Sequence, residues 1–290
     1  METKDLLKRI RKIEIHTNKL SRNIFAGEYK SAFKGRGMEF SEVREYEPGD
    51  PIRDIDWNVT ARYAKPYVKV FEEERELTVL LLVDVSSSGL FGTKVRTKRE
   101  LTAEVAATLA FSCINNNDKV GVLFYSDRIE KYIAPGKGRK HVLHIISEIL
   151  RLEPQGSGTN LSQALTYASN MQKKSCTIFV MSDFIDDSDY ERTLSVVSKK
   201  HDVKAIRVYD PHEYQLPRVG LLRVRDAETG EIFVVNSDSS RVAKTYRDHW
   251  DGITTEMMRI FRKYGIDFVS TKTDEDYVPA LIRLFSYGKR

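Results

Sequence analysis

The sequence predicts an α/β fold in which a mostly parallel β-sheet is flanked by helices. From residue 77 onward, short apolar runs alternate with longer segments whose apolar residues recur at helical spacing. The apolar runs are nearly continuous, which is typical of parallel strands that are covered on both faces. Two of these runs end in an acid, Asp84 and Asp183. Acids at the carboxyl ends of such strands indicate a ligand site at that edge of the sheet.

The N-terminal part of the chain has a different pattern. Residues 3–20 carry apolar side chains at helical spacing among charges, which predicts an amphipathic helix that packs against the main domain. Residues 30–76 are rich in charge, glycine and proline, so we expect turns and short strands there, with 67–71 as the best strand. We therefore predict two parts: 1–76, the helix plus an irregular β-containing segment packing on the core, and 77–290, the α/β domain.

Within the α/β domain, the pattern assigns each element in turn. Strands are predicted at 77–84, 119–125, 176–182, 203–209 and 265–270, with 128–133 as a hairpin mate of the second. Helices are predicted at 98–116, 139–152, 161–172, 190–200, 239–263 and 276–285. One interruption breaks the rhythm, since 221–225 and 232–235 flank a turn-like sequence. We interpret it as a β-hairpin inserted at about 211–238.

Composition excludes several classes of protein. Of the 290 residues, 41% are hydrophobic and 31% are charged, which is ordinary for a globular protein and argues against disorder. No apolar run reaches the roughly 18 residues of a membrane helix, so we expect a cytoplasmic protein without an integral membrane segment. Cys113 and Cys176 lie far apart in the sequence, which favours two buried, reduced thiols over a disulfide or a zinc site. The net charge of +5 is spread along the chain and gives no support for nucleic-acid binding.

Five oxygen-bearing side chains form the candidate site. Asp84 ends the first strand of the sheet, and Ser86 and Ser88 follow it at alternate positions in the adjoining loop. Asp183 follows another buried strand, and Thr159 lies in a glycine-rich turn directly before a helix. Because parallel strands end at the same edge, we expect these side chains to converge.

Two carboxylates and three hydroxyls are hard ligands, suited to one divalent metal ion. Mg²⁺ suits this set best, because it uses one or two carboxylates and keeps several waters; Mn²⁺ and Ca²⁺ are alternatives. Two carboxylates neutralise the two positive charges of the metal ion and add no excess negative charge. The bound metal can therefore still coordinate a carboxylate from outside. The pattern therefore predicts a binding site that bridges to a carboxylate of a partner protein.

Other interpretations of these residues stay open. The Asp-x-Ser-x-Ser spacing alone is weak, and both Thr159 and Asp183 could be helix N-caps. The alternative function is a Mg²⁺-dependent, phosphatase-like hydrolase with Asp84 as its nucleophile. That chemistry usually needs a second acid two residues later, where this chain has Ser86. We therefore expect no catalytic residues and no enzymatic activity.

A second candidate surface lies in the N-terminal segment. Aromatic and arginine side chains favour interface hot spots, and a set of these with one acid could dock a partner: Arg44, Tyr46, Arg53, Asp56, Trp57 and Arg62. The simpler interpretation, which we prefer, is that ion pairs fix this segment and that Trp57 is buried beneath it.

Two resemblances follow from these motifs. Asp84-x-Ser86-x-Ser88, Thr159 and Asp183 match the metal-ion-dependent adhesion site of von Willebrand factor A and integrin I-type domains. In addition, Gly35-x-Gly37, Arg53-x-Ile55-Asp56-Trp57 and Asp226-x-Glu228-Thr229-Gly230 resemble the signature of a bacterial family, number 58 among the domains of unknown function.

The resemblances imply a von Willebrand factor A-like, Rossmann-like fold with a magnesium site at the five residues named above. Proteins of the bacterial family are typically encoded beside MoxR-type AAA+ ATPases. The resemblance therefore implies a non-enzymatic adaptor that works with such an ATPase, or with its client, in a chaperone-like, complex-assembly or stress system.

Overall fold

The structure is a computed structural model that describes residues 3–20, 38–63, 65–73, 76–92, 95–186, 188–225 and 230–287. Gly35 and Gly37 of the signature and most of the turn between the hairpin strands, 226–229, lie outside the described residues. The helices are α1 Thr3–Leu20, α2 Trp57–Tyr63, α3 Lys98–Asn115, α4 Arg139–Arg151, α5 Leu161–Met171, α6 Tyr190–Lys200, α7 Ser240–Lys263 and α8 Val278–Tyr287. The strands are β1 Met38–Glu45, β2 Tyr67–Glu73, β3 Thr78–Asp84, β4 Lys119–Tyr125, β5 Ile129–Gly136, β6 Thr177–Ser182, β7 Asp202–Tyr209, β8 Leu221–Arg225, β9 Ile232–Asn236 and β10 Asp267–Lys272.

A six-stranded sheet forms the centre of the α/β part, with strand order β10-β7-β6-β3-β4-β5. All neighbours are parallel except β5, which pairs antiparallel with β4 as the predicted hairpin mate. The predicted α/β class is therefore confirmed. Strands β3 and β6 are adjacent, so their carboxyl ends open at the same place on the sheet edge.

Helices cover both faces of this sheet. On one face, α5, α6 and α7 bury apolar side chains against strand residues such as Leu80, Leu82 and Val180. On the other face, Phe179 of β6 packs edge-on against Phe285 of α8. Helix α3 is buried along most of its length, and small residues on it allow close packing.

The chain divides into two compact units, one of them Phe33–Glu76. Helix α1 belongs to the other unit, together with the residues from Leu77 onward, because Ile13 and Thr17 are buried as α1 packs on α3 and α4. The division of the chain thus differs from the predicted 1–76 and 77–290.

The smaller unit pairs β1 and β2 antiparallel and contains a helix that the sequence pattern did not predict. This short helix, α2, begins at Trp57, and Asp56 caps it by accepting hydrogen bonds from the backbone N–H groups of Asn58 and Val59. The signal was a single capping acid, too little for a sequence-based prediction.

The hairpin of β8 and β9 lies between β7 and α7, as predicted. The last strand begins two residues later than predicted. Gly265 has φ +65° and closes the end of α7, where the N–H of Ile266 bonds the carbonyl of Phe261. Glycine reaches this left-handed conformation without steric strain, so the chain turns there before it extends.

Candidate metal site

Asp84 stands at the carboxyl end of β3, and two hydrogen bonds hold its carboxylate. Its Oδ1 accepts from the backbone N–H of Ser86 at 2.9 Å, and its Oδ2 accepts from the hydroxyl of Ser182 at 2.6 Å. Burial, together with the nearby charge of Asp183, still raises the pKa of Asp84 to about 6. A buried carboxylate with a raised pKa is one that a bound cation would stabilise.

A chain of hydrogen bonds joins the loop after β3 to the loop after β6. The hydroxyl oxygens of Ser86 and Ser88 lie 3.2 Å apart, and the hydroxyl of Ser88 donates to Asp183 Oδ2 at 2.8 Å. The structure thus brings four of the five predicted ligands, Asp84 included, into one connected group.

Asp183 is held by its own local turn rather than by a helix. Its Oδ1 accepts from the N–H of Ile185, whereas the helix that follows begins at Tyr190 with Asp189 as its N-cap. Asp183 is therefore not a helix cap. The intervening Phe184 has φ +59°, a rare conformation for a residue with a side chain, and its buried ring packs against Phe261. Local strain anchored in this way is a recurrent feature of functional sites.

Thr159 is not a helix cap either, because Asn160 caps α5 by accepting from the N–H of Gln163. The hydroxyl of Thr159 is buried and has no hydrogen-bond partner in the described part of the chain. Its loop contacts the loop after β3 where the N–H of Ser87 bonds the carbonyl of Ser157 at 3.3 Å. A buried hydroxyl without a partner is unfavourable and needs an explanation, which a bound cation would supply.

Glu130 of β5 holds the turn that carries Thr159 through hydrogen bonds to its backbone. Its carboxylate accepts from the N–H groups of Gln155 and Gly156 and from the hydroxyl of Ser126. The backbone of Gly156 approaches this group closely: a Cβ there would lie 2.4 Å from the buried Ser126 hydroxyl oxygen, so a larger residue would force a shift in the turn or in the side chains around it.

These donors fit a small, hard divalent cation. No group of three or more His, Cys, Asp or Glu side chains that could hold a metal occurs among the described residues, so hydroxyls would have to complete the set. Ser86, Ser88 and the orphaned Thr159 supply hydroxyls beside two carboxylates. This is a set of ligands for Mg²⁺, Mn²⁺ or Ca²⁺ and not for a soft metal.

Sequence reasoning missed two charged residues at this site. The ammonium nitrogen of Lys98, whose residue is 3% exposed, lies 2.8 Å from Asp183 Oδ2 and 2.6 Å from Glu213 Oε1. Burial opposes the charge of Lys98, but these two acids outweigh it and leave the pKa of Lys98 above its usual value. Burial also raises the pKa of Glu213. Glu213 lies 115 residues after Lys98 in the chain, and no motif spacing in the sequence connects the two residues.

Sequence reasoning also missed Ser182, the last residue of β6. Its hydroxyl donates to Asp84 and accepts from the N–H of Phe184 at 3.0 Å, so it couples one acid loop to the other. A serine in a buried strand carries no signal for this role.

The predicted docking residues lie in the smaller unit. Arg44 forms a two-pronged ion pair with Asp50, and Asp56 caps α2 and lies 3.6 Å from the ammonium of Lys69. The prediction that Trp57 is buried is wrong. This residue is 67% exposed, and none of the residues of α2 is buried. Arg53 and Arg62 are exposed as well, and Tyr46 is half-buried.

Among the described residues, no helix is both long enough and apolar enough to cross a membrane.

The sheet order, the two acid loops and the converging hydroxyls together define a protein with a von Willebrand factor A-like fold. The chain belongs to the family described as "protein of unknown function DUF58", whose model matches residues 42–252.

The chain is similar to one curated relative over nearly its whole length and to two solved structures over most of it. An uncharacterized protein of Mycobacterium tuberculosis is 28% identical over 289 residues, covering 97% of this chain and 89% of that protein. Two solved structures show the same fold: the conserved hypothetical protein BatB from Bacteroides thetaiotaomicron, with a TM-score of 0.50 and 17% identity, and an aerotolerance-related membrane protein from Bacteroides fragilis, with 0.51 and 14%. Each alignment covers 73% of this chain and 98% of the other.

Proposed function

We propose that this protein is a non-enzymatic, metal-dependent protein-binding module. In this proposal Asp84, Ser86, Ser88, Thr159 and Asp183 hold one divalent cation, preferably Mg²⁺, which binds a carboxylate of a partner protein. The observation that supports it best is the buried Thr159 hydroxyl, which lacks a partner in the described structure. Its turn contacts the loop after β3, and Ser88 links that loop to Asp183 in the loop after β6. When bound, the cation would supply a positive charge with open coordination positions.

The charges of the site support a binding role. Asp84, Asp183 and Glu213 carry three negative charges. Lys98 pairs with two of these acids, and the buried guanidinium of Arg207 also interacts with Asp183 and Glu213, so the charges of these five groups sum to about minus one. With a divalent cation bound, they would sum to about plus one and attract a carboxylate. Without Lys98 the sum would be close to zero, and the attraction would be weaker.

We further propose a MoxR-type AAA+ ATPase, or its client, as the partner. This part rests on the family alone, since proteins of this family are typically encoded beside such ATPases. One structural neighbour is described as aerotolerance-related, a stress function that agrees with this role. The exposed Trp57 and Arg53 are proposed as a second contact with the partner, separate from the metal.

The test is a direct binding measurement between this protein and the MoxR-type ATPase of the same bacterium. Mg²⁺ and ATP stay constant, because a chelator would also disable the ATPase. The variants are Asp84→Ala and, as a matched control from the same loop, Ser87→Ala. We expect the wild type and Ser87→Ala to bind and Asp84→Ala to lose binding, while all three show the same cooperative melt by circular dichroism.

One outcome would contradict the proposal, and a second would require a different variant. Equal binding by Asp84→Ala would remove the metal site from the interface and leave the smaller unit or the hairpin as the docking surface. Collapse of the Asp84→Ala melt would make Asp84 a structural residue; Thr159→Val would then replace it in the binding measurement.

A further inference from the structure

Lys98 is a cation built into the candidate metal site. It is the first residue of α3, which Thr97 and Glu100 start with a reciprocal capping box. The helix therefore fixes the backbone of Lys98, and its side chain, 4% exposed, ends between two acids. An ammonium in such surroundings has little access to water and depends mainly on these carboxylates for its hydrogen bonds.

The ammonium and a metal ion would compete for the same carboxylate. Asp183 Oδ2 already accepts from both Lys98 and Ser88, and its Oδ1 accepts from the N–H of Ile185. A divalent cation that draws on Asp183 would meet the positive charge of Lys98 a few ångströms away. Two like charges at that distance in a buried site repel strongly.

Glu213 gives Lys98 a second acceptor. Its Oε1 lies 2.6 Å from the ammonium, and its Oε2 accepts from the N–H of Asp210 at 3.0 Å. The backbone carbonyl of Glu213 also accepts from the hydroxyl of Tyr246 on α7 at 2.7 Å. Glu213 is thus anchored independently of Asp183, and Lys98 keeps a charged partner if it leaves Asp183.

We infer that Lys98 is a built-in competitor for the metal, and that it lowers the metal affinity of the site because its ammonium has to leave Asp183, while keeping Glu213, before the metal binds. With metal bound, Lys98 pairs with Glu213 alone; without metal, it bridges both acids. Occupancy of the site is thereby linked to the turn Pro211–Glu213 and, through Tyr246, to α7. This inference rests on the proposed function to the extent that a cation binds the site.

The experiment is a titration of the purified full chain with Mn²⁺, followed by calorimetry and by the electron paramagnetic resonance of free Mn²⁺. Lys98→Met keeps the length of the side chain and removes its charge. We expect it to bind Mn²⁺ about tenfold or more tightly than the wild type. Lys131→Met is the matched control, since it removes a lysine that pairs with Glu148 at edge strand β5, and its affinity should equal that of the wild type.

Glu213→Gln tests the second half of the inference. It should weaken Mn²⁺ binding in the wild-type background, because Lys98 is then left with Asp183 alone. In the Lys98→Met background the same change should have a clearly smaller effect. Equal effects in both backgrounds would show that Glu213 acts through its charge and not through Lys98, which would overturn this half. The double variant also removes one charge of each sign, so it serves as the test if Lys98→Met alone fails to fold.

The outcomes separate the inference from the proposed function. Equal Mn²⁺ affinities for the wild type and Lys98→Met would overturn the competitor role and leave the metal-dependent module standing. Binding by Lys98→Met but not by the wild type would support the competitor and overturn metal dependence of the natural chain. No binding by any variant, with folded proteins, would overturn both.

Discussion

Lys98 and Asp183, 85 residues apart in the chain, meet through a hydrogen bond of 2.8 Å, and the acceptor is the same carboxylate oxygen that binds Ser88. One oxygen therefore joins a lysine at the start of α3 to a serine of the predicted metal loop. This relationship places the ammonium of Lys98 in direct contact with one of the two acids of the candidate metal site. The net charge of this site therefore depends on residues outside the adhesion-site motif, such as Lys98 and Glu213, as well as on the acids within it.

Thr159→Val should separate a metal-binding role from a structural one. Since the buried hydroxyl of Thr159 has no partner in the described structure, its loss should stabilise the metal-free protein by about 1 kcal/mol. The same change should weaken Mn²⁺ binding about tenfold or more. Urea unfolding in chelator and a Mn²⁺ titration measure the two effects.

The matched control for Thr159→Val is Thr108→Val. The hydroxyl of Thr108 is also buried, but it bonds the carbonyl of Glu104 and the hydroxyl of Tyr277. Thr108→Val should therefore destabilise the protein and leave Mn²⁺ affinity unchanged. If Thr159→Val destabilises the metal-free protein to the same degree, the Thr159 hydroxyl has a structural role.

Asp84→Asn should change the pH dependence of stability in the metal-free protein. The pKa of Asp84 is raised from 3.8 to about 6, so the folded state binds its proton more tightly than the unfolded chain. The stabilisation from this group is present below about pH 4 and is lost as the pH rises through about 6. Asparagine has no such charge to bury, so Asp84→Asn should exceed the wild type by at most about 3 kcal/mol at pH 7.5.

Denaturant unfolding with chelator at pH 7.5 and at pH 5 measures this difference. We expect the difference between Asp84→Asn and the wild type to fall by about half at pH 5, where most of the folded wild type is protonated at Asp84. A difference that is the same at both pH values would show that Asp84 is not the titrating group.

Gly156→Ala should damage the turn that carries Thr159. The added Cβ would meet the Asp127 carboxylate at 2.0 Å and the buried Ser126 hydroxyl at 2.4 Å, so the turn or these two side chains have to shift, and Ser126 has little space to do so. We expect a loss of about 2 kcal/mol in unfolding free energy together with weaker Mn²⁺ binding. Gly89→Ala, in the loop after β3, meets no atom within 4 Å and should change neither quantity by much. Similar results for the two variants would contradict this account.

No hydrolysis of phosphate esters is expected in the presence of Mg²⁺. Both carboxylate oxygens of Asp84 are engaged by Ser86 and Ser182, and the position of a second acid is occupied by Ser86. The measurement is release of p-nitrophenol from p-nitrophenyl phosphate over hours, compared with buffer. Metal-dependent turnover that disappears in Asp84→Asn would favour the hydrolase alternative over the adaptor.

The features that the sequence predicted well are those that depend on local patterns of residues. Continuous apolar runs mark the strands of the central sheet, and the position of an acid at the end of two such runs singles out Asp84 and Asp183. Because parallel strands share a carboxyl edge, adjacency of β3 and β6 was enough to bring the two acid loops together. The five candidate ligands needed no more than motif spacing and this rule.

The features that the sequence did not predict depend on which distant side chains share a space. Burial of Trp57 was expected because tryptophan is large and apolar, yet the short helix α2 leaves it exposed. Ser182 looks like any small residue of a buried strand until Asp84 is placed beside it.

The sequence by itself thus determined the α/β class, the site edge and the candidate ligands, since hydrophobic periodicity and strand-end chemistry are local properties of a chain. Only the tertiary structure decided that Lys98 and Glu213 join the site and that the Thr159 hydroxyl is buried without a partner among the described residues. The physical reason is that a charge at a helix start is normally solvated. It becomes part of a site only when packing removes its water and places acids from other elements within hydrogen-bond distance.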